Sequence, residues 1–112
     1  KIHASIGGGH LESSYQKALG ISLKNDGLNF ISQHKSKLFY EGEHVGTSII
    51  DFLIEKDVVL EIKKSARFSR LDIQQVERYL DQNNFPVALL VNFGSDKVNV
   101  RRIQNPSIIP RN

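Results

Sequence analysis

The spacing of hydrophobic and polar residues predicts a helix and then a strand in the first part of the chain. Apolar side chains recur every three or four positions from about His10 to Asp26, which is typical of an amphipathic helix, and Gly27 provides a stop signal. Residues 29–40 alternate weakly between apolar and polar. Because they end in the polar turn Glu41-Gly42-Glu43, we expect a strand that enters a hairpin.

A second hairpin is predicted directly afterwards. Two apolar runs rich in β-branched residues, Ile49–Ile54 and Val58–Ile62, flank the short polar turn Glu55-Lys56-Asp57. Together with the preceding strand, this hairpin makes a three-stranded antiparallel meander.

A second helix and two further strands follow the meander. Ser69-Arg70-Leu71-Asp72 has the pattern of a helix N-cap, and Asn83-Asn84-Phe85-Pro86 breaks that helix. The apolar run Val87–Phe93 is typical of a strand buried on both faces. Since a helix between two strands of one sheet normally makes a right-handed crossover, this strand should lie parallel to the strand before the helix. A last strand is predicted from Val98 to Ile103, and an irregular segment from Asn105.

Three charged residues lie inside or at the end of the apolar runs of the second hairpin. Asp51 belongs to the first run, and Glu61 and Lys63 belong to the second. Because side chains on a strand alternate between faces, Glu61 and Lys63 should point to the same face. A carboxylate buried without a partner is strongly destabilising, so these residues either pair with one another or hold a cation.

Length and composition indicate one globular domain, since 112 residues with 39% hydrophobic content suffice for a core. The absence of cysteine excludes a disulfide scaffold and a thiolate metal site. No apolar run approaches a membrane span, and the start of the chain is unlike a signal peptide, so we expect no membrane association and a cytoplasmic location. Because methionine is absent, we also expect native residues to precede Lys1.

The net charge of +3 is compatible with a nucleic-acid partner but is far from that of a polybasic coat. Local clustering is more informative, because Lys63, Lys64, Arg67 and Arg70 are close together. A solvent-exposed segment that leads into a helix, without any ligand, explains such a run of charges equally well. Gly7-Gly8-Gly9 is followed by no Gly-Lys-Ser/Thr and preceded by no strand, so it indicates flexible entry to a helix and not a phosphate loop.

The order of these elements and their polar residues resemble the PD-(D/E)XK nucleases. Asp51 followed by Glu61-Ile62-Lys63 resembles the D…(D/E)-x-K pattern, and Gln75–Tyr79 resembles the Q-x-x-x-Y element of RecB-like and lambda-exonuclease-like members. Gly9–Tyr15 resembles G-x-x-E-x-x-Y, which names the GxxExxY group, and Leu89–Gly94 resembles the Leu-Leu-x-Asn-Phe-Gly segment of that group.

The resemblance extends from about Gly9 to Ile103 and implies one nuclease-like domain over residues 1–112. It implies an α/β fold with a restriction-endonuclease-like core, in which a mixed central sheet contains the antiparallel meander, a parallel strand and a final strand. One departure is Lys64-Ser65, where the group more often has small or apolar residues.

The resemblance also implies hydrolysis of phosphodiester bonds with Mg²⁺ or Mn²⁺. Asp51 and Glu61 would be direct ligands, the backbone carbonyl of Ile62 a third, and Glu12 would bind through water or hold a second ion. Lys63 would orient the attacking water or help to deprotonate it.

Other residues would support the reaction or hold the substrate, with DNA as the expected nucleic acid. Gln75 would position the water or Lys63, and Tyr79 would brace Gln75 or contact the DNA backbone. Three basic residues would bind phosphates: Lys64, Arg67 and Arg70. The histidines show no paired metal-ligand spacing. His10, two positions before Glu12, either faces the site or is an ordinary surface residue.

Three hypotheses for function remain, of which a metal-dependent nuclease is favoured because every polar position of the motifs is present. The second is a non-catalytic nucleic-acid-binding or assembly module that retains the fold, in keeping with the small size and mild charge. The third is a buried ion-pair cluster of Asp51, Glu61 and Lys63 without a ligand. A homo-oligomer and a larger partner protein both stay open.

Overall fold

In the computed structural model, the described residues are 2, 12–64, 67–94 and 98–108. The predicted helix start at His10 and the glycines before it lie outside these residues. The elements follow the order α1 (Glu12–Asn25), β1 (Phe30–Tyr40), β2 (Glu43–Ile54), β3 (Val58–Lys63), α2 (Arg70–Asn83), β4 (Val87–Asn92) and β5 (Asn99–Gln104).

The strands form one mixed sheet in the order β1-β2-β3-β4-β5. The pairs β1–β2, β2–β3 and β4–β5 are antiparallel, whereas β3 and β4 are parallel and are joined through α2. The predicted meander, the parallel strand and the restriction-endonuclease-like α/β fold are therefore confirmed.

Each face of the sheet carries one hydrophobic cluster. Under α2, side chains from the sheet pack against Val76, Tyr79 and Leu80. On the opposite face, Tyr15 and Leu23 of α1 pack against the sheet. The strands contribute alternate residues to the two clusters: Val59, Ala88 and Leu90 on the α2 side, and Leu60, Ile62 and Val91 on the α1 side. The sheet thus lies between the two helices, and its central strands are covered on both faces.

The first hairpin extends beyond the rest of the sheet. β2 pairs with β3 only from Phe52 to Ile54, whereas its pairing with β1 continues to Glu43. At the tip, Glu41 and Gly42 both have positive φ, as a two-residue hairpin turn of the primed type requires. Residues 34–50 therefore form a two-stranded projection, which we call the arm, on a molecule that measures 45 × 28 × 28 Å.

The segment from Asn105, predicted to be irregular, is anchored to the end of α2. The Asn105 side chain is 2% exposed and donates hydrogen bonds to the carbonyls of Leu80 and Phe85. Its amide oxygen accepts from the N–H of Ser107. Within the described residues, no helix is long and apolar enough to cross a membrane.

Candidate active site

The site begins where the regular alternation of β2 reverses. Phe52 packs in the cluster under α1, but Ile50, two residues earlier, packs in the cluster under α2. On a regular strand, residues two apart point to the same face. The direction of the side chains therefore changes at Asp51, between them.

β1 reverses at the same level of the sheet. Phe30 packs in the α1-side cluster, whereas the ring of His34 contacts α2. Between them lies Gln33, whose φ of 55° is left-handed, a conformation that costs about 1 kcal/mol in a residue other than glycine. The pairs on either side, Ser32 with Phe52 and His34 with Ile50, place Gln33 opposite Asp51. Gln33 donates a 3.4 Å hydrogen bond to Asp51 Oδ1.

The reversal opens the ladder between β2 and β3, and side chains take over the backbone hydrogen bonds there. The Ile62 N–H donates to Asp51 Oδ2 over 2.7 Å, and the Asp51 N–H donates to Glu61 Oε1 over 3.2 Å. The two carboxyl groups are thus held beside each other by the strands, before any ligand contributes.

This proximity changes the protonation of Glu61. Burial, the side-chain hydrogen bond with Asp51 and the negative charge of Asp51 raise the pKa of Glu61 to about 9, although Lys63 opposes the change. Two adjacent carboxylates cannot both ionise easily in a partly buried position. At neutral pH and without a cation, Glu61 therefore holds a proton.

A cleft of about 260 Å³ lies against this pair. It is lined by Glu12, Ser13, Gln16, Ile49, Asp51, Glu61, Ile62, Lys63 and Gln75. The structure therefore brings together Ile62 and five of the predicted polar site residues. Within the described parts of the chain, no three His, Cys, Asp or Glu side chains form a metal-ligand group by themselves. Glu12 thus faces the same cleft without joining the carboxyl pair directly.

Lys63 makes an ion pair with a residue of α2. Its Nζ lies 3.7 Å from Asp72 Oδ1, and both side chains are partly exposed. Asp72 also completes a capping box, since it accepts from the Ser69 N–H and its own N–H donates to Ser69 Oγ. Partial burial tends to raise the pKa of Asp72, but the hydrogen bonds with Ser69 and the charge of Lys63 outweigh it, so that the pKa is lowered. Asp72 thereby links the start of α2 to Lys63.

The substitution Asp72→Asn is expected to destabilise the fold by about 0.5–1 kcal/mol at neutral pH, because it removes a charge from the helix N-terminus and from Lys63. The pKa of Asp72 is lowered on folding, so its contribution is present above the ordinary value of 3.8 and is lost as the pH falls below it. Urea unfolding should show a smaller difference in free energy of unfolding between wild type and Asp72→Asn in acid than near neutral pH. Asp57→Asn, in the exposed turn after β2, should differ little from wild type at either pH. An undiminished difference in acid would contradict this electrostatic role.

Tyr79 lies behind the cleft and contacts the base of the arm. Its hydroxyl is hydrogen-bonded with His34 Nδ1, and the residue is only 4% exposed. Burial and the charge of Glu61 raise the pKa of Tyr79 to about 12, so the hydroxyl remains protonated. Gln75 and Tyr79 line the same small pocket beside Glu61. This position suits the predicted bracing role, whereas so buried a side chain is poorly placed for the alternative contact with a DNA backbone.

Two motifs that are far apart in the sequence meet beneath α1. Tyr15 is fully buried, and its ring stacks on Phe93 with centroids 4.3 Å apart and planes 7° from parallel. At the end of β4, the Asn92 side chain accepts from the Gly94 N–H, and the Phe93 N–H donates to the Lys63 carbonyl. The contact positions the first turn of α1, and with it Glu12, over the ends of β3 and β4.

The predicted phosphate-binding residues lie outside the cleft lining. Lys64, Arg67 and Arg70 are exposed and belong to the connection from β3 into α2. His10 falls outside the described residues. Sequence patterns missed several residues that line or contact the site: Ser13, Gln16, Gln33, Ile49 and Asp72. Gln16 had a detectable signal, since it follows Glu12 by one helical turn, but nothing in the sequence indicated Gln33.

Comparisons with known proteins identify the family and the fold. A family model described as the PD-(D/E)XK nuclease superfamily matches residues 1–103. Three chains of known structure also match, among them one described as "Crystal structure of SSO0001". The TM-score with that structure is 0.65 at 22% identity, and the match covers 84% of this chain and 50% of that one. This similarity shows a shared fold, and the chain spans about half the length of that protein. No curated protein matches the sequence.

Proposed function

The chain belongs to the PD-(D/E)XK nuclease superfamily, and from this membership we propose that it is a metal-dependent nuclease of the GxxExxY group that hydrolyses phosphodiester bonds, with DNA as the expected substrate. The observation that carries the proposal is the carboxyl pair of Asp51 and Glu61 at the opening between β2 and β3. In a metal-free protein, this pair is destabilising because one member must hold a proton. A divalent cation would displace that proton and neutralise the charges of both carboxylates.

The available donors fit a hard cation such as Mg²⁺ or Mn²⁺. Nucleases of this superfamily generally use divalent metals, and oxygen ligands are those that such ions prefer. Asp51 and Glu61 would supply carboxylate oxygens, and the Ile62 carbonyl would be a third donor. The Ile62 N–H points to Asp51 on β2, and N–H and C=O groups of one residue point to the same side of a strand, so this carbonyl also faces the opening. Glu12 would act through water or hold a second ion.

The bound cation would supply Lewis-acid activation of water and would compensate charge on the phosphate. Lys63, on the same strand face as Glu61, would orient the attacking water or accept its proton after losing its own, and its charge would offset that of the transition state. Gln75 lines the cleft beside Lys63 and would position the water. We assign Tyr79 the bracing of Gln75, and Lys64, Arg67 and Arg70 the binding of flanking phosphates.

The proposal is tested by incubating the purified protein with labelled linear DNA, circular DNA and RNA in Mg²⁺ or Mn²⁺. The wild type should cleave at least one of them, and Lys63→Ala should slow cleavage by about 10²–10⁴-fold, the range for a positioned proton-transfer group. Lys56→Ala removes the same charge from the turn at the opposite end of β3 and should leave the rate unchanged.

Two outcomes would overturn the assignment. Cleavage that persists unchanged in both Lys63→Ala and Glu61→Ala would exclude the proposed site. Binding of nucleic acid without cleavage under any metal would support the non-catalytic module instead.

A further inference from the structure

The arm presents one open face that continues the cleft. Directly opposite residues of an antiparallel pair share a face, so Lys35 lies beside Ile49, and Lys37 beside Thr47. All four are exposed, and Ile49 also lines the cleft. We call these residues the open face of the arm.

The reversal at Gln33 and Asp51 determines which side chains occupy this face. Beyond the reversal, His34 and Ser36 point to α2, where they contact Tyr79 and Asn83. The intervening residues, Lys35 and Lys37, alternate with them, and the exposed edge of β1 that carries both lysines borders an open pocket that also takes in Gln82 and Asn83 of α2. The two lysines therefore follow Gln33, which contacts Asp51, along the exposed edge of the arm.

Spacing and charge identify what this face fits. Gln33 contacts Asp51 in the site. At a rise of ~3.3 Å per residue, Lys35 and Lys37 lie about 7 and 13 Å from Gln33 along the strand, so that about 7 Å separates the two lysines. This interval is close to that between consecutive phosphates of one nucleic-acid strand. In the described part of the chain, no carboxylate lies within ion-pair distance of either ammonium group.

An exposed aromatic side chain follows the two lysines along β1, beyond a register shift between Leu38 and Phe39, and lines the same pocket as the lysines. Phe39, two residues beyond Lys37, is 62% exposed, and its ring lies 5.9 Å from that of its cross-strand partner His44. Exposed aromatic rings next to basic residues are the usual platform for bases of a single strand. Glu41 and Glu43 at the tip are acidic and exposed, so the favourable surface ends at Phe39.

We propose that the open face of the arm is a binding track for one strand of nucleic acid as it leaves the cleft, with consecutive phosphates on Lys35 and Lys37 and a base against Phe39. The proposal rests on the proposed function in that it takes nucleic acid as the ligand of the site. It goes further in assigning a single-stranded segment beside the scissile phosphate and the residues that hold it.

The test compares K35Q/K37Q with K24Q/K56Q, which loses the same charge at the end of α1 and in the β2–β3 turn, away from the cleft. Affinity for a short fluorescein-labelled oligothymidylate is measured by anisotropy in EDTA over a range of salt. K35Q/K37Q should bind about 5–30-fold more weakly. The slope of log K against log salt concentration should be smaller in magnitude by about 1.4, because each of the two lost phosphate contacts on a single strand contributes ~0.7.

Two further measurements isolate the role of the arm. Phe39→Ala should weaken binding of the oligothymidylate more than binding of a duplex of equal length, because base stacking on the ring needs an unpaired base. Hydrolysis of bis(p-nitrophenyl) phosphate, which is too small to reach the arm, should be equal in wild type and K35Q/K37Q. Melting curves of all variants should coincide, since the three substituted arm side chains are exposed.

The outcomes separate this proposal from the proposed function. If the wild type cleaves DNA but K35Q/K37Q binds like K24Q/K56Q, the track is overturned and the nuclease remains. If nothing is cleaved but K35Q/K37Q still loses affinity and salt dependence, the track remains and the nuclease is overturned. If the arm variants change self-association in sedimentation and leave binding of DNA unaltered, the face docks a second copy and the track is overturned.

Discussion

Glu61→Gln is expected to abolish cleavage and, in the absence of metal, to stabilise the protein. Loss of a carboxylate ligand should reduce the rate by about 10³-fold or more, because the cation provides both water activation and charge compensation. The metal-free variant should be about 1–3 kcal/mol more stable near pH 8, since glutamine is neutral without the cost of keeping Glu61 protonated far above its ordinary pKa, and its amide oxygen still accepts the Asp51 N–H. A gain in stability with a loss of activity is expected of acids held together for function.

The pH dependence of this difference has a defined sign. The pKa of Glu61 rises from 4.5 to about 9 on folding, so the protonated carboxyl contributes stability that is fully present below 4.5 and is lost as the pH rises towards 9. Glutamine does not titrate. The advantage of Glu61→Gln in urea unfolding with EDTA should therefore grow across this interval, whereas Glu43→Gln, at the exposed hairpin tip, should show no such trend.

Addition of Mn²⁺ should reverse the order of stability. The wild type should gain about 2.7 kcal/mol when the free metal is ~100 times its dissociation constant, and the variant should gain much less. Two results together would instead support the buried ion-pair cluster. Without metal, Glu61→Gln would be less stable than the wild type, and the stability of the wild type would not change when metal is added.

Tyr15→Ala is expected to destabilise the fold by about 3–5 kcal/mol, the cost of removing a fully buried aromatic side chain. The stacked contact with Phe93 is lost as well, and it is this contact that fixes the start of α1. Because Glu12 and Gln16 flank Tyr15 on that helix and line the cleft, cleavage should also fall under conditions in which the variant is still folded.

Urea unfolding and cleavage rates of two further variants provide the comparison. Tyr15→Phe keeps the stacked ring, so it should lose less than half as much stability. Tyr40→Ala, at the hairpin tip and 67% exposed, should change stability by less than about 0.5 kcal/mol. Equal losses in Tyr15→Phe and Tyr15→Ala would show that the stacking with Phe93 contributes little.

Much of the fold was predictable because its determinants are local. Periodicity of apolar residues predicted the helices and strands, and the capping pattern at Ser69 and Asp72 predicted the start of α2. The strong preference for crossover connections predicted the parallel pairing of β3 with β4. The segment after Asn105 was predicted only as irregular, because its anchor is a set of hydrogen bonds to residues distant in sequence.

The sequence by itself determined the order of the elements, the family resemblance and the residue types at the site, because these depend on short-range pattern and on chemistry that needs particular side chains. Only the tertiary structure decided how Asp51 meets Glu61. That contact lies where β1 and β2 reverse together, beside a left-handed Gln33, and a glutamine gives no local signal for such a conformation. The same reversal decided that His34 and Ser36 contact α2, whereas alternation counted from Phe30 would have assigned them to the α1 side.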